Sequence, residues 1–249
     1  MTVDARGRLC LASGDGVVDW LVHMRRLPTD RMLDVMIRKR SLCEGDLHRV
    51  VDKLSRFYHA APAVAVTPAA YRARLSSGIA ENLRELSKSA YELPRDLVEA
   101  TCGRQRTMLE RQPALFDQRV QDGRVIEAHG DLRPEHICLE PEPQFIDCLE
   151  FSHEFRILDP ADELAFLALE CERLGAPELR RTIFGTYAEV SGDTPPDTLL
   201  HFYQSYRAFV RAKLAVWHLN DPVVRDPHQW PAHARDYLRL AREHIERCE

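Results

Sequence analysis

The rhythm of apolar and polar positions changes twice along this chain. Residues 8–12 and 17–24 alternate or run apolar on either side of Ser13-Gly14-Asp15-Gly16. Alternation with a period of two is a strand signal, and Gly and Asp supply the positive φ of a tight turn, so this stretch predicts a β-hairpin. The second strand, Val17 to Met24, leads into Arg25-Arg26-Leu27-Pro28, where proline ends strand pairing and a connector is expected. From Asp30 to about Gln112 the period becomes helical: Leu47, Val50, Val51, Leu54, Phe57 and Tyr58 fall on one face. Further helices are predicted at about 69–90 and 95–111, the second opened by Pro94 in its first turn. Short β-branched and aromatic runs at 124–128, 137–140 and 144–148, broken by Pro141 and Pro143, predict strands. Beyond Asp159 the pattern is helical at roughly 160–174, 176–190, 196–219 and 233–247, with loops at Pro195-Pro196 and from Asp221 to Pro231.

This order of elements predicts an α+β fold: a small β patch set among helices, without internal repeats or low-complexity segments. At 249 residues and 45% hydrophobic composition the chain has enough apolar surface for a full core. No apolar stretch approaches the roughly 20 residues that span a bilayer, and the first residues lack a signal-type apolar run, so a cytoplasmic location without membrane association is expected. A net charge of −5 argues against a nucleic-acid surface. The seven cysteines are scattered and form no C-x-x-C pair, which points to reduced thiols rather than a disulfide framework or a zinc knuckle.

The chemistry concentrates between the predicted strands, in His129-Gly-Asp-Leu-Arg-Pro-Glu-His136 followed by Phe145-Ile-Asp147-Cys148. In the protein-kinase loop H-R-D-x-x-x-x-N, the Asp orients the acceptor hydroxyl and the Asn five residues later holds magnesium. A second Asp on the following hairpin completes the metal site. Asp131, His136 and Asp147 stand at those positions, with His in place of Asn. Asp131 is thus the candidate for deprotonating an acceptor hydroxyl, and Arg133 for reaching the transferred phosphoryl group. His136 and Asp147 become a metal pair if 137–140 and 144–148 are neighbouring strands. Imidazole suits manganese or other transition ions better than magnesium, so this His should shift the metal preference. His129 reads as a ring packed beneath the loop, with Gly130 allowing a tight turn. Taken singly, each Asp is as readily a turn cap and each His a core residue; the joint spacing is what points to a kinase-like site.

The segments Ala128-His-Gly-Asp-Leu-Arg-Pro-Glu-His-Ile137, Phe145-Ile-Asp-Cys-Leu-Glu-Phe151 and Leu158-Asp-Pro-Ala-Asp-Glu-Leu-Ala-Phe-Leu167 together resemble the aminoglycoside phosphotransferase-like (choline kinase-like) family. Within it, the chain is most similar to a bacterial branch of aminoglycoside phosphotransferase family enzymes. Val22-His-Met-Arg-Arg-Leu-Pro28 and Tyr206-Arg-Ala-Phe-Val-Arg-Ala-Lys213 extend the likeness over almost the whole chain. The resemblance implies a protein-kinase-like fold, with ATP or GTP as donor, Mg2+ or Mn2+, and a small-molecule hydroxyl as acceptor. It places residues 1–28 as a remnant of the small N-terminal lobe and hinge, and residues 29–249 as a helical C-lobe carrying the catalytic loop 129–136 and the metal-binding hairpin 137–148. Val22 to Pro28, with His23, Met24, Arg25 and Arg26, would receive the nucleotide base. Glu163 would hold the catalytic loop, and Asp159 caps a helix or acts directly. Tyr206, Arg207 and Arg211 are candidates for acceptor contact.

Two departures stand out. The family's small lobe carries a phosphate-covering loop and a strand lysine, but the only lysines here, Lys39, Lys53, Lys88 and Lys213, lie in helical segments, and no Gly-rich phosphate loop occurs. Three functions therefore compete: an active small-molecule kinase, a catalytically impaired kinase-like binding or regulatory module, and, with the smallest weight, a metal-dependent hydrolase built on His129, Asp131, His136 and Asp147.

Overall fold

Helices dominate the structure, a computed structural model that describes residues 2–3, 6–11, 17–21, 23–43, 45–220 and 228–248. The helices are α1 (Leu33–Arg38), α2 (Asp46–Ala60), α3 (Pro68–Leu86), α4 (Arg95–Arg111), α5 (Pro113–Gln121), α6 (Pro160–Arg173), α7 (Leu179–Ser191), α8 (Asp197–Trp217) and α9 (Gln229–Glu246). The strands are two-residue pieces: β1 (Thr2–Val3), β2 (Leu9–Cys10), β3 (Ile126–Glu127), β4 (Ile137–Cys138), β5 (Gln144–Phe145) and β6 (Ile157–Leu158). They pair antiparallel as β1 with β2, β3 with β6, and β4 with β5. The α+β expectation holds, with the helices carrying nearly all the packing.

The N-terminal hairpin is built differently from its sequence pattern. β2 pairs with Thr2–Val3, which precedes it, and Val17 bridges Thr2 from the other side, so β1 lies between them. Gly7, at φ +75°, supplies the left-handed dihedral between β1 and β2. The predicted turn Ser13-Gly14-Asp15-Gly16 and the hinge residue Val22 lie outside the described residues. Described residues from 18 to 28 form no strand, and Leu11 and Trp20 are 83% and 82% exposed. Their apolar pattern has no layer beneath it to be buried against.

From α1 onward the pattern and the structure agree closely. Val50, Val51, Leu54 and Tyr58 of α2 are buried, as their spacing requires, while Phe57 at the edge of that face stays exposed. The α9 helix starts at Gln229, inside the predicted Asp221–Pro231 loop. Pro231 sits in its first turn, where a missing N–H removes no intrahelical bond. α1 falls within the stretch read as helical from Asp30, without predicted bounds of its own, while α5 and β6 had no distinct signal in the sequence.

Two hydrophobic clusters meet at α6. One is formed with α3, α4, α5, α8 and α9, the other with α1, α2, α7 and the β4 region. Every residue from Pro160 to Cys171 is buried, so α6 is enclosed on all sides. Its charged residues are tolerated there because each has a partner. Arg207 donates to both oxygens of Asp162 at 2.7 Å, and Arg173 and Tyr237 donate to Glu170 at 2.9 and 2.6 Å. At the head of α6, Asp159 caps the Ala161 N–H at 2.9 Å and accepts a forked pair of bonds from Arg119 at 2.7 and 2.8 Å. Arg119 also reaches Asp193 after α7 at 2.6 and 2.7 Å, tying α5, α6 and α7 together.

Candidate active site

The β4–β5 hairpin sets Ile137 opposite Phe145 and Cys138 opposite Gln144, and the Ile146 N–H donates to the His136 carbonyl at 3.0 Å. This register carries Asp147 back alongside the loop that ends at His136. Asp147 adopts φ +61°, a conformation that Asp tolerates better than most residues and that turns its side chain out of the strand direction. Its carboxylate is 75% exposed, and Oδ2 lies 3.2 Å from His136 Nε2.

Asp131 meets the same ring from its other edge. His136 Nδ1 lies 2.8 Å from the Asp131 carbonyl oxygen and 3.7 Å from its Oδ2. A carbonyl only accepts, so Nδ1 carries the proton. Arg133 Nη2, which only donates, reaches Nε2 at 2.9 Å, so Nε2 presents its lone pair. These partners select the tautomer that a metal-binding imidazole uses. Arg133 also donates from Nε to Asp131 Oδ2 at 3.0 Å. Asp131 and Arg133, which touch each other, and Asp147 thus all meet at His136, so the four residues singled out by spacing form one cluster.

The loop is held from behind. Gly130 has φ +84°, and a Cβ there would sit 2.9 Å from Leu149 Cδ1 and 3.1 Å from the Phe155 carbonyl, so only glycine fits. Its N–H donates to Glu163 Oε1 at 2.7 Å, and Tyr58 donates its hydroxyl to Glu163 Oε2 at 2.7 Å. Burial pushes the Glu163 carboxyl above its usual range, against the pull of these two donors. The loop-holding bond expected of Glu163 is thus present; Tyr58 was legible in the sequence only as a core position. His129 donates Nε2–H to the Ile146 carbonyl at 2.8 Å and stacks on His136 with ring centroids 5.9 Å apart.

The remaining candidates are scattered. His23, Met24, Arg25 and Arg26 lie on exposed, non-strand chain, and Arg25 pairs with Glu140 just beyond β4. The nearby chain is better fixed: Met32 bridges Cys138, and Arg31 Nε donates to the Leu139 carbonyl at 2.8 Å. Arg207 is paired with Asp162, and Tyr206 packs its hydroxyl over Gly78. Arg211 remains beside the site, with Tyr237 at 3.4 Å and Glu170 at 3.6 Å. The Arg119 clamp had no sequence signal, because its partners are 40 and 74 residues away.

The donor set can be tested against a divalent ion. His136 Nε2 and Asp147 Oδ2 lie 3.2 Å apart, and with Nδ1 carrying the ring proton both can act as ligands to one cation. Adjacent ligands on bonds of ~2.1 Å at right angles are about 3.0 Å apart, close to this spacing. Among the described residues no group of three or more His, Cys, Asp or Glu side chains is arranged to hold a metal. The pair by itself supplies only two of the roughly six oxygen or nitrogen donors that a divalent ion such as Mg2+ takes. All seven cysteines are free thiols, and no described helix is long and apolar enough to cross a membrane.

Comparison with known proteins places the chain beside long mycobacterial relatives. It is 32% identical over 237 residues to Uncharacterized protein Rv2004c of Mycobacterium tuberculosis (strain ATCC 25618 / H37Rv), a match covering 93% of this chain and 46% of that protein. Uncharacterized protein Mb2027c of Mycobacterium bovis matches to the same extent. The chain thus spans about half the length of the curated relatives it matches. No family model and no solved structure matches it.

Proposed function

We propose that this chain carries the catalytic half-site of a protein-kinase-like phosphotransferase of the aminoglycoside phosphotransferase-like type, transferring phosphate from ATP or GTP to a hydroxyl of a small molecule in the cytoplasm. The observation that supports this reading is the approach of Asp131 and Asp147 to opposite edges of one imidazole, His136. In this reading Asp131 orients the acceptor hydroxyl and takes its proton as the new P–O bond forms and the γ-phosphorus bond to the bridging oxygen breaks, releasing ADP or GDP. Arg133, whose guanidinium already lies against Asp131, balances negative charge spreading over the transferred group. His136 Nε2 and Asp147 would hold Mg2+ or Mn2+ carried by the nucleotide, which supplies charge neutralisation at the phosphates when bound. Glu163 and Gly130 fix the loop, so little reorganisation accompanies the reaction.

A second reading, a nucleotide-binding or regulatory module without turnover, is favoured by one feature: Arg133 occupies both Asp131 and His136, while the proposed base-binding residues 23–26 are exposed and no lysine stands in a strand. The test is phosphate transfer from γ-labelled ATP and GTP, with Mg2+ or Mn2+, to a panel of small alcohols that includes amino sugars. The kinase reading expects transfer that falls by about 100-fold or more in Asp131→Ala, the scale of lost general-base catalysis. Nucleotide binding without transfer to any acceptor would replace it with the module reading.

A further inference from the structure

The contacts of Arg133 raise a conflict that the phosphotransferase reading must resolve. The neutral imidazole of His136 has one lone pair, at Nε2, and Arg133 Nη2 lies on it at 2.9 Å. A divalent ion bridging His136 and Asp147 needs that same lone pair. The two cannot be bound together. Arg133 also holds Asp131 Oδ2 at 3.0 Å, so the guanidinium spans the carboxylate that must accept a proton and the nitrogen that must bind a metal. Beside it, Glu135 offers an alternative berth. Arg133 Nη1 is already 3.7 Å from Glu135 Oε1, and Glu135 Oε2 is a buried acceptor with no hydrogen-bond partner.

We propose that Arg133 is an internal stand-in for the metal. Its guanidinium neutralises the Asp131 carboxylate and occupies the Nε2 lone pair of His136 in the resting chain, and an arriving divalent cation displaces it toward Glu135. The inference rests on the phosphotransferase reading and deepens it. With no metal bound, the tethered guanidinium keeps the half-buried Asp131 carboxylate and the buried His136 Nε2 paired. Displacement then has a second effect. The step that seats the metal also strips Arg133 from Asp131, so the base is freed only when the cation is in place. Nucleotide and metal would bind before the acceptor is activated.

The inference predicts that removing the guanidinium tightens metal binding. Mn2+ is titrated into the full chain, alone and with a non-hydrolysable methylene analogue of ATP, and the free ion is read by electron paramagnetic resonance. Arg133→Met should bind Mn2+ at least about tenfold more tightly than the parent chain, the scale of one lost charge-assisted competitor. Arg133→Lys, which keeps the charge but not the fork, should fall between them and guards against a folding defect in the first variant. Adding His136→Ala to Arg133→Met should abolish the gain. Equal or weaker Mn2+ binding by both Arg133 variants, with His136→Ala still weakening the parent chain, would overturn the stand-in while leaving the metal pair intact. Binding indifferent to His136→Ala and Asp147→Ala in every background would overturn both.

Discussion

Replacing Glu163 tests how the catalytic loop is held. In the folded chain its two oxygens accept from the Gly130 N–H and the Tyr58 hydroxyl, each at 2.7 Å, and the side chain is buried. Glu163→Ala strands both donors in the interior at about 1–3 kcal/mol each, so a loss of ~2–6 kcal/mol is expected from a total stability of about 5–15 kcal/mol. Glu163→Gln should cost about 1 kcal/mol or less: the amide oxygen still accepts from Gly130, and its NH2 donates to Tyr58, whose hydroxyl can accept instead. The two variants also separate by pH. Burial raises the Glu163 carboxyl above its unfolded value of 4.5, so the folded state holds the proton more tightly and stability declines as pH rises from there through the raised value. Gln carries no such charge, so its stability relative to the parent should improve as pH rises from about 4.5 through the raised value. Urea denaturation at both ends of that range, followed by tryptophan fluorescence and circular dichroism, measures each difference. A Glu163→Gln variant as damaged as Glu163→Ala, at both pH values, would refute the account of the loop as held by two interchangeable hydrogen bonds.

Asp159→Asn should destabilise the chain by about 3–5 kcal/mol, because it weakens one half of the buried Arg119 clamp and leaves the guanidinium short of charge, measurable as a lowered urea midpoint. His201 stacks on His244 with Nδ1 atoms 2.9 Å apart, the buried middle of a row that runs from exposed Asp197 to Glu172 with Arg180 and Arg247 nearby. Burial, then the nearby Arg180 and His244 charges, depress its pKa to about 4, so the unfolded chain binds the extra proton first and stability is lost as pH falls from about 6.5 through 4. His201→Gln should flatten that acid limb of the melting-temperature profile; an unchanged slope would assign it to other groups.

Sequence alone determined the elements whose periodicity is enforced by a buried face. The bounds of α4 are those predicted, and α2 presents the apolar stripe read from Leu47 to Tyr58, because a helix between two packed layers has one arrangement that hides its apolar side. The octet and Asp147 were legible for another reason: a tight glycine turn and a short hairpin fix side-chain positions locally, so spacing along the chain becomes distance in space. Tertiary structure decided the rest. The pairing of β2 with Thr2–Val3 rather than with the following segment was hidden, since period-two alternation names a strand without naming its partner. The Arg119 clamp on Asp159 and Asp193, and Tyr58 behind Glu163, depend on which helices become neighbours. Most consequential was Arg133: its residue type suggested a hand on the phosphate, and only folding placed that hand on the lone pair of His136.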